Sequence, residues 1–245
     1  MSILPQIELH THILPGLGDG PDDIDESLRM CGRYAELGFK KVVATPHMCH
    51  PAHNPDVDGI QNAVENLTSE CRQRSIPLEI LTGAEVRLTP ELLDMLDDGE
   101  LLTLADERRY LILEFPPRVA PPIEELIFQL GLRDVTVILC HPERNLQLRD
   151  DPDRIADLIR RGCLMQMSIG SLVGDFGRGA RKAVGTLLDK GLFHLACGDA
   201  HGARDGYWPG YRRCVEELIR LGGSGRAKRI LVENPHRVIE GKDLS

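Results

Sequence analysis

The sequence is poor in aromatic residues and has no long apolar run. Phe, Trp and Tyr make up 4% of the 245 residues, with a single Trp. No segment approaches the ~18 consecutive apolar residues of a membrane span. An excess of basic residues is also lacking, because 29 Lys and Arg oppose 38 Asp and Glu and the formal charge is −9. Since nucleic-acid binding requires a basic surface, this balance argues against a nucleic-acid partner.

Paired cysteine spacing and a secretion signal are missing as well. The seven cysteines are odd in number and show no paired spacing, which suits a reducing compartment better than an export route. Residues 1–10 lack the basic start and the apolar core of a signal peptide. The composition of 42% hydrophobic and 27% charged residues is typical of a globular protein that needs no disulfides. We therefore predict one cytoplasmic domain over residues 1–245, without membrane insertion.

Short apolar runs alternate with amphipathic helical patterns along the chain. Strand patterns occupy residues 7–9, 41–44, 78–81, 110–115, 135–140, 163–167 and 192–197. Helical patterns occupy residues 24–35, 60–71, 90–97, 123–132, 151–161, 178–190 and 211–221. Because strands alternate with helices, we expect parallel strands joined by right-handed crossovers, and thus an α/β fold.

Polar side chains recur where these strands end. They are His10, His12, His47, Glu85, Glu114, His141, Asp199 and His201. In a (β/α) barrel the carboxyl ends of all strands converge on one site, whereas an open doubly wound sheet concentrates its ligands at one switch point. Because these residues are spread over almost the whole chain, the pattern favours a barrel.

The types of these residues indicate a metal centre. Five imidazoles and three carboxylates are too many polar groups to bury without partners. Mixed His and carboxylate ligands suit Zn, Mn or Fe better than Ca or Mg, and no cysteine is required. His10 and His12 are two residues apart on a strand, so they point to the same side and can reach one ion. A single strand-end Glu is usually a helix cap or a solvated residue, but the recurrence at successive strand ends predicts a metal centre.

The other histidines and the single Trp receive structural interpretations. His194 lies in an apolar strand and is predicted to be a core residue with satisfied hydrogen bonds. His236 falls in a turn-like NPHR segment. His50 and His53 follow His47 in a Pro-rich segment, where a surface loop is the simpler interpretation and lining of the site mouth the alternative. Trp208, in the GYW segment at 206–208, either flanks the substrate or packs in the core.

Six motifs carry a family resemblance. ELHTHILPGLGDGP, ATPH, GAEV, ILEF, CHPER and CGDAH occur in this order over residues 8–201, and ENP follows at 233–235. Together they resemble the PHP (polymerase and histidinol phosphatase) superfamily. More narrowly, they are similar to the bacterial manganese-dependent protein-tyrosine phosphatases of capsule and exopolysaccharide systems, the CpsB/CapC type. The resemblance spans nearly the whole chain and implies a distorted (β/α)7 TIM-like barrel, the PHP fold, as a single domain.

The resemblance also implies three divalent metal ions, with Mn²⁺ preferred and Fe or Zn as alternatives. The implied ligands of the three ions are, in turn, His10, His12, Glu85 and Asp199; Glu85 as a bridge, Glu114 and His141; and Asp19, His47 and His201. Only the resemblance identifies Asp19, because it lies in the loop after the first strand. The family often has Asp where this chain has Gly18, but the Asp next to Gly20 is present.

The charge of the implied centre favours an anionic substrate. Four carboxylates and three divalent ions give −4 + 6 = +2, or +1 with one hydroxide. Two ions about 3.5–4 Å apart can lower the pKa of a shared water toward ~7, and the hydroxide would attack phosphorus in line. We predict that Arg144, close after His141, clamps a phosphate oxygen, with a helix-edge ion pair as the alternative. Arg204, three residues past His201, is a second candidate.

The expected activity is hydrolysis of phosphotyrosine, with the tail of a bacterial tyrosine autokinase as the partner implied by the resemblance. One alternative is a PHP-type phosphoesterase that acts on a small phosphomonoester such as histidinol phosphate. Another is a non-catalytic binding module. Cysteine-dependent phosphatase chemistry is disfavoured, because the Cys-x5-Arg spacing at Cys214 and Arg220 falls in a helical pattern with two glutamates.

Overall fold

The protein folds as a parallel β-structure surrounded by helices. The computed structural model describes residues 5–204 and 207–244. Within this part, the strands are β1 (Ile7–Thr11), β2 (Lys41–Ala44), β3 (His47–Met48), β4 (Glu79–Thr82), β5 (Glu85–Arg87), β6 (Tyr110–Glu114), β7 (Thr136–Cys140), β8 (Leu164–Ser168) and β9 (Leu195–Cys197). The α-helices are α1 (Ile24–Leu37), α2 (Val57–Gln73), α3 (Leu92–Asp97), α4 (Glu124–Gly131), α5 (Pro152–Arg160), α6 (Gly177–Asp189), α7 (Tyr207–Lys228) and α8 (Asn234–Ile239).

The strands close into a barrel of seven positions. All pairs are parallel, in the orders β1-β2-β4 and β3-β5-β6-β7-β8-β9. Only two residues separate β2 from β3 and β4 from β5, so each of these pairs is one interrupted strand position. The chain beyond β9 returns to β1, where the Asp199 amide donates to the His10 carbonyl at 3.0 Å and the His12 amide donates to the Ala200 carbonyl at 2.9 Å. The predicted (β/α)7 barrel is therefore confirmed.

Two apolar clusters form the core, one inside the barrel and one between the barrel and its helices. The inner cluster takes residues at alternate positions from several strands, as expected where one strand face points into the barrel, for example Ile7 and Leu9 on β1 and Tyr110 and Ile112 on β6. The outer and larger cluster lies between the strands and the helices. With both strand faces covered, all five residues of β1 and all five of β6 are buried.

The β1 strand departs from simple alternation just where the site begins. Its register against β2 shifts between Glu8 and Thr11. Strict alternation would place His10 on the opposite face from Leu9, which belongs to the inner cluster. A bulge locally bends a strand and redirects its side chains. The irregularity therefore allows His10 and His12 to enter the barrel mouth above an apolar interior.

Helix α1 shows why the predicted helices form and end where they do. The Asp23 side chain accepts a hydrogen bond from the Glu26 amide at 2.8 Å and caps the first turn. The helix buries Leu28, Cys31 and Tyr34. It ends at Gly38, which has φ 99° and satisfies terminal carbonyls as a left-handed C-cap.

Three segments differ from the sequence-based prediction. The strand predicted at 192–197 is formed only over Leu195–Cys197. Just before it, the His194 amide donates to the Met165 carbonyl of β8 at 2.9 Å. Helix α7 extends to Lys228 across a kink at Gly223. The turn predicted around His236 is wrong: this segment is helix α8, with Pro235 in its first turn, where a missing amide costs no helical hydrogen bond. Among the helices of residues 5–204 and 207–244, none has the length and apolarity required to cross a membrane.

Candidate metal centre

The structure brings all nine predicted ligand residues to the carboxyl-terminal mouth of the barrel. Six of them lie at or just beyond the carboxyl ends of strands, whereas His47 and Glu85 begin the short strands β3 and β5 that continue β2 and β4. Asp19 reaches in from the loop between β1 and α1. Their ligand atoms form overlapping groups in which all atoms lie within 4.8 Å of one another, and Asp199 contacts one of these groups. The nine residues are His10, His12, Asp19, His47, Glu85, Glu114, His141, Asp199 and His201.

The innermost group has the dimensions of a four-ligand metal site. Nε2 of His10 lies 3.4 Å from Nε2 of His12. Each of these nitrogens lies 3.3 Å from Oε2 of Glu85 and 3.4 Å from Oδ1 of Asp199. A regular tetrahedron with metal–ligand distances of about 2.0–2.1 Å has edges of about 3.3–3.4 Å. Five of the six edges thus match a tetrahedral ligand set.

The second group is centred on Glu85 and His141. Nε2 of His141 lies 3.0 Å from Oε1 of Glu85. Glu114 on the neighbouring strand groups instead with His47 and Glu85, and its Oε2 lies 4.0 Å from Nδ1 of His47. Glu85 therefore contacts two groups with its two oxygens, as the predicted bridge requires. Cys140, which was not predicted, has its Sγ 3.1 Å from Oε1 of Glu85. Burial and the charges of the neighbouring carboxylates raise the pKa of this thiol well above its usual value, so without a bound ion it is a protonated hydrogen-bond donor to Glu85.

The third group surrounds Asp19 at the outer edge. Oδ2 of Asp19 lies 3.5 Å from Nε2 of His47 and 3.4 Å from Nε2 of His201, and Oδ1 lies 3.3 Å from Nδ1 of His12. His12 therefore faces two groups, one with each ring nitrogen. Gly20 makes this arrangement possible, because a Cβ at this position would lie 2.3 Å from the His12 carbonyl oxygen. The loop can thus fold tightly over β1 and place Asp19 above the barrel.

The electrostatics of the metal-free cluster favour additional positive charge. Burial opposes protonation of His12, yet its carboxylate neighbours raise its pKa well above the usual value. Burial likewise opposes protonation of His47, but Asp19 and Glu85 raise its pKa to about 9. The pKa values of Asp19, Glu85 and Asp199 lie below their usual range, because the surrounding imidazoles outweigh the effect of burial. Without an ion, protons on the imidazoles balance the charge of the carboxylates. Bound metal ions would displace these protons.

The orientation of two ring nitrogens also fits bound ions. Nδ1 of His12 and Nδ1 of His47 are buried and make no aligned hydrogen bond within the part of the chain that the structure describes. Carboxylate oxygens nevertheless lie 3.3 Å and 3.0 Å away, on Asp19 and Glu85 respectively. Two ligand atoms at contact distance that do not point at each other can direct their lone pairs to a common ion. Together with the donor types, this geometry fits a metal centre of mixed His and carboxylate ligands.

Two residues that were not predicted from the sequence form hydrogen bonds to candidate ligands and hold them in place. The Gln166 side-chain amide nitrogen lies 2.7 Å from Nδ1 of His10, and its oxygen has no partner among the described residues. With the amide rotated by 180°, Nδ1–H of His10 donates to the oxygen, and Nε2 keeps its lone pair for an ion. Arg87 donates to Oε2 of Glu114 at 2.7 Å, directly across the β5–β6 pairing. The position of Arg87 two residues after Glu85 is its only signal in the sequence.

The two predicted arginines lie in different surroundings. Nη1 of Arg144 donates to Oδ2 of Asp199 and, at 3.3 Å, to Oγ of Ser168. The guanidinium therefore touches a candidate metal ligand. Arg204 is exposed and lines a surface groove of about 470 Å³ together with Arg33 and Trp208. Its predicted role in substrate binding stays a prediction.

Glu143, between His141 and Arg144, was not singled out from the sequence. This buried carboxylate accepts hydrogen bonds from the Ser168 amide at 3.0 Å and the Ser171 hydroxyl at 2.8 Å. It thereby ties the loop after β7 to the segment after β8 and fixes the position of Arg144.

The remaining histidines and the Trp can be assigned from their contacts. His50 stacks on His47 with ring centroids 4.9 Å apart, and His53 stacks on His50 at 5.5 Å, so both line the edge of the site mouth. His194 accepts a hydrogen bond from the Met165 amide at 3.1 Å, as predicted for a satisfied residue. Trp208 is buried and donates to the Gly202 carbonyl at 2.7 Å, so it packs; Gly206 of the same motif lies outside the described residues.

Two ligand residues adopt strained backbone conformations. His141 has φ 37° and Asp199 has φ 55°, in the left-handed region that L-residues rarely adopt. Backbone hydrogen bonds hold both, from the His141 amide to the Gln166 carbonyl and from the Asp199 amide to the His10 carbonyl. Such strain is concentrated at functional sites.

Comparisons with known proteins agree with this site. The family model for capsular polysaccharide synthesis, CpsB/CapC, matches residues 6–240. The chain is 32% identical to tyrosine-protein phosphatase YwqE of Bacillus subtilis, covering 81% of this chain and 78% of that protein. It is 30% identical to the putative tyrosine-protein phosphatase CapC of Staphylococcus aureus, covering 80% of this chain and 76% of that protein.

The fold comparison gives the same result. A crystal structure from work on YwqE of Bacillus subtilis and CpsB of Streptococcus pneumoniae, described as metal-dependent tyrosine phosphatases, superposes with a TM-score of 0.91 at 28% identity. The match covers 98% of this chain and 96% of that chain. A lactonase of Listeria monocytogenes, with a TM-score of 0.63 and 14% identity, shares only the fold. From its sequence and its structure, the chain belongs to the CpsB/CapC family.

Proposed function

We propose that this protein is a metal-dependent protein-tyrosine phosphatase that hydrolyses phosphotyrosine. The observation that carries the proposal is the gathering of nine His, Asp and Glu ligands at one barrel mouth. The relatives YwqE and CpsB are named tyrosine-protein phosphatases, which supports the same activity here. We infer that residues 1–245 act as one catalytic domain.

The proposed centre holds three divalent ions, with Mn²⁺ as the native metal. His10, His12, Glu85 and Asp199 would bind the first, Glu85, Glu114 and His141 the second, and Asp19, His47 and His201 the third. When bound, such ions polarise phosphoryl oxygens and generate a nucleophile from water near neutral pH. Within this arrangement, Gln166 fixes the ring orientation of His10, and Arg87 holds Glu114 in place.

Arg144 is the residue that we assign to the substrate phosphate. A guanidinium has five N–H donors arranged as a planar fork, so an arginine whose Nη1 contacts Asp199 and Ser168 can still donate to a phosphate oxygen. The hydrogen bonds to Asp199 and Ser168 hold the fork of the half-buried Arg144 beside the candidate ligands. Its positive charge offsets part of the charge of the four carboxylates and would attract a phosphomonoester dianion.

The accessibility of the site favours a phosphorylated protein as the substrate. The Asp19 side chain is 44% exposed and that of His201 is 32% exposed, so the outer group of ligands lies at the surface. A tyrosyl phosphate that projects from a flexible chain can reach such a site. We propose a bacterial tyrosine autokinase of capsule or exopolysaccharide synthesis as the partner, with both proteins acting in the cytoplasm.

The decisive experiment compares substrates with the purified chain. After stripping with EDTA and reloading with Mn²⁺, the protein should hydrolyse a phosphotyrosine peptide faster than the same peptide with phosphoserine, and faster than histidinol phosphate. Preference for histidinol phosphate would favour the small-molecule phosphoesterase. Activity that survives complete stripping would contradict the metal-dependent mechanism.

Arginine variants test the assignment of the substrate contact. Arg144→Lys keeps the charge but loses the planar fork, and we expect KM for the phosphotyrosine peptide to rise by about 10- to 100-fold, the equivalent of a charged hydrogen bond. Arg204→Ala tests the second candidate under the same conditions. An unchanged KM in Arg144→Lys would exclude Arg144 from substrate binding.

A further inference from the structure

Phe176 is an exposed aromatic residue at the edge of the barrel mouth. It lies in the short segment between the turn Ile169–Leu172 and helix α6, flanked by Gly174 with φ 98° and Gly177 with φ 87°. The side chain is 40% exposed. Exposure of so large an apolar side chain costs free energy unless a partner covers it.

The ring is connected to the candidate metal centre through Arg144. Cζ of Arg144 lies 4.2 Å from the centroid of the Phe176 ring, within the range of a cation–π contact. The same guanidinium donates to Asp199, a candidate ligand of the innermost group. A single guanidinium therefore separates the metal ligands from an exposed aromatic ring.

Two neighbouring loops also carry exposed apolar side chains. Exposed Val119 and Leu146 follow β6 and β7, as Phe176 follows β8. The loops of Val119 and Leu146 are tied together, since Nδ2 of the Asn145 side chain donates to the Val119 carbonyl at 2.9 Å and the Leu146 backbone amide donates to the Pro117 carbonyl at 2.9 Å. The three successive loops after β6, β7 and β8 thus each carry an exposed apolar side chain.

We propose that Phe176 is the platform on which the aromatic ring of the substrate packs while Arg144 binds the phosphate. A phosphotyrosyl group has its ring one oxygen away from phosphorus, which matches the adjacency of guanidinium and aromatic ring. Phe176 would then be a specificity-determining residue that favours aryl over alkyl phosphates. This inference rests on the proposed function.

The size of the expected effect follows from the energetics of aromatic pairs. Such pairs contribute about 0.5–1.5 kcal/mol beyond simple area burial, which corresponds to a factor of about 2 to 12 in affinity. Phe176→Leu keeps an apolar side chain but loses the ring, whereas Phe176→Trp retains an aromatic face. Phe128→Leu is the matched control, because Phe128 on α4 is also exposed, at 58%, and lies outside the site.

The test measures binding and turnover with the Mn²⁺-loaded protein. Calorimetry gives the affinities of phenylphosphonate and methylphosphonate, and steady-state kinetics give KM for phenyl phosphate. In Phe176→Leu we expect phenylphosphonate binding to weaken about 2- to 12-fold and KM for phenyl phosphate to rise by a similar factor. Methylphosphonate binding should change less, and Phe176→Trp and Phe128→Leu should resemble the unmodified protein.

The possible outcomes separate this inference from the proposed function. If Phe176→Leu lost the same factor of affinity for both phosphonates, Phe176 would only position Arg144. The proposed packing of the substrate ring on Phe176 would then be wrong. Unchanged binding of both would also overturn it, while hydrolysis of phenyl phosphate by the unmodified protein would leave the phosphatase assignment intact. If the loaded, unmodified protein hydrolyses no aryl phosphate, the proposed function fails and this inference fails with it.

Discussion

The protonation of His47 in the metal-free protein gives a quantitative prediction for stability. His47 lies at the start of β3, with Nδ1 3.0 Å from Oε2 of Glu85 and Nε2 3.5 Å from Oδ2 of Asp19. Although burial opposes protonation, these carboxylates raise the pKa of His47 from 6.5 to about 9. The protonated ring therefore stabilises the folded protein more than the unfolded chain.

The sign and the pH window follow from the two pKa values. Because the folded pKa is the higher one, the stabilisation is fully present below about pH 6.5 and is lost as the pH rises toward about 9. The difference corresponds to about 3 kcal/mol at the acidic end. His12, whose pKa is also raised, contributes in the same direction. The stripped protein should thus become less stable between pH 6.5 and 9.

Urea unfolding of the EDTA-stripped protein at a series of pH values measures this loss. His47→Asn should flatten the pH dependence by about 3 kcal/mol over this window, since the titrating ring is gone. His53→Asn is the control, because the His53 ring stacks beside His47 and His50, further from the carboxylates than His47 is. This variant should keep the full pH dependence of the free energy of unfolding. Parallel curves for His47→Asn and the unmodified protein would refute the argument that carboxylates hold a proton on His47.

Three further predictions concern metal binding. Gln166→Leu should lower Mn²⁺ affinity about 10- to 100-fold by calorimetry, because nothing then fixes the orientation of the His10 ring. Arg87→Met should lower the metal content found by elemental analysis, because it frees Glu114 from its hydrogen bond, and Arg87→Lys should restore part of it. Mn²⁺ at about 100 to 1,000 times its Kd should stabilise the protein by about 3–4 kcal/mol and raise Tm by roughly 6–16 °C, and Glu85→Gln should remove most of this shift.

Each of these predictions has an outcome that contradicts it. Unchanged Mn²⁺ affinity in Gln166→Leu would show that His10 is oriented by other contacts. Full metal content in Arg87→Met would show that Glu114 does not depend on the arginine. An equal rise in Tm for Glu85→Gln and the unmodified protein would exclude Glu85 as the bridging ligand.

Much of the fold was predictable because local patterns and long-range structure agree in this chain. The predicted helix that begins at Ile24 ends at Gly38, as its capping residues require. The apolar strand 110–115 corresponds to β6, buried on both faces. Prediction failed where tertiary contacts decide. His194, just before the strand that begins at Leu195, exchanges two hydrogen bonds with Met165 of β8. The segment around His236 is helical, and its neighbour Asn234 donates a side-chain hydrogen bond to the His194 carbonyl.

The site was predictable in its residue types and less so in its connections. Strand ends alone indicated eight of the nine candidate ligands, and the family resemblance added Asp19. Neither source showed that His12 faces two groups or that Cys140 contacts Glu85. These contacts depend on the bulge in β1 and on strand register, which single-sequence patterns do not encode.

The sequence by itself determined which chemistry is available: imidazoles and carboxylates at the ends of apolar strands that alternate with helices. Periodicity and residue type are local properties, and they survive without knowledge of the fold. Only the tertiary structure decided which of these groups lie close enough together to hold a common ion, which residues keep them in place, and which aromatic ring lies beside Arg144. Those relations join residues far apart in sequence, because barrel closure, strand register and loop packing bring them within a few ångströms.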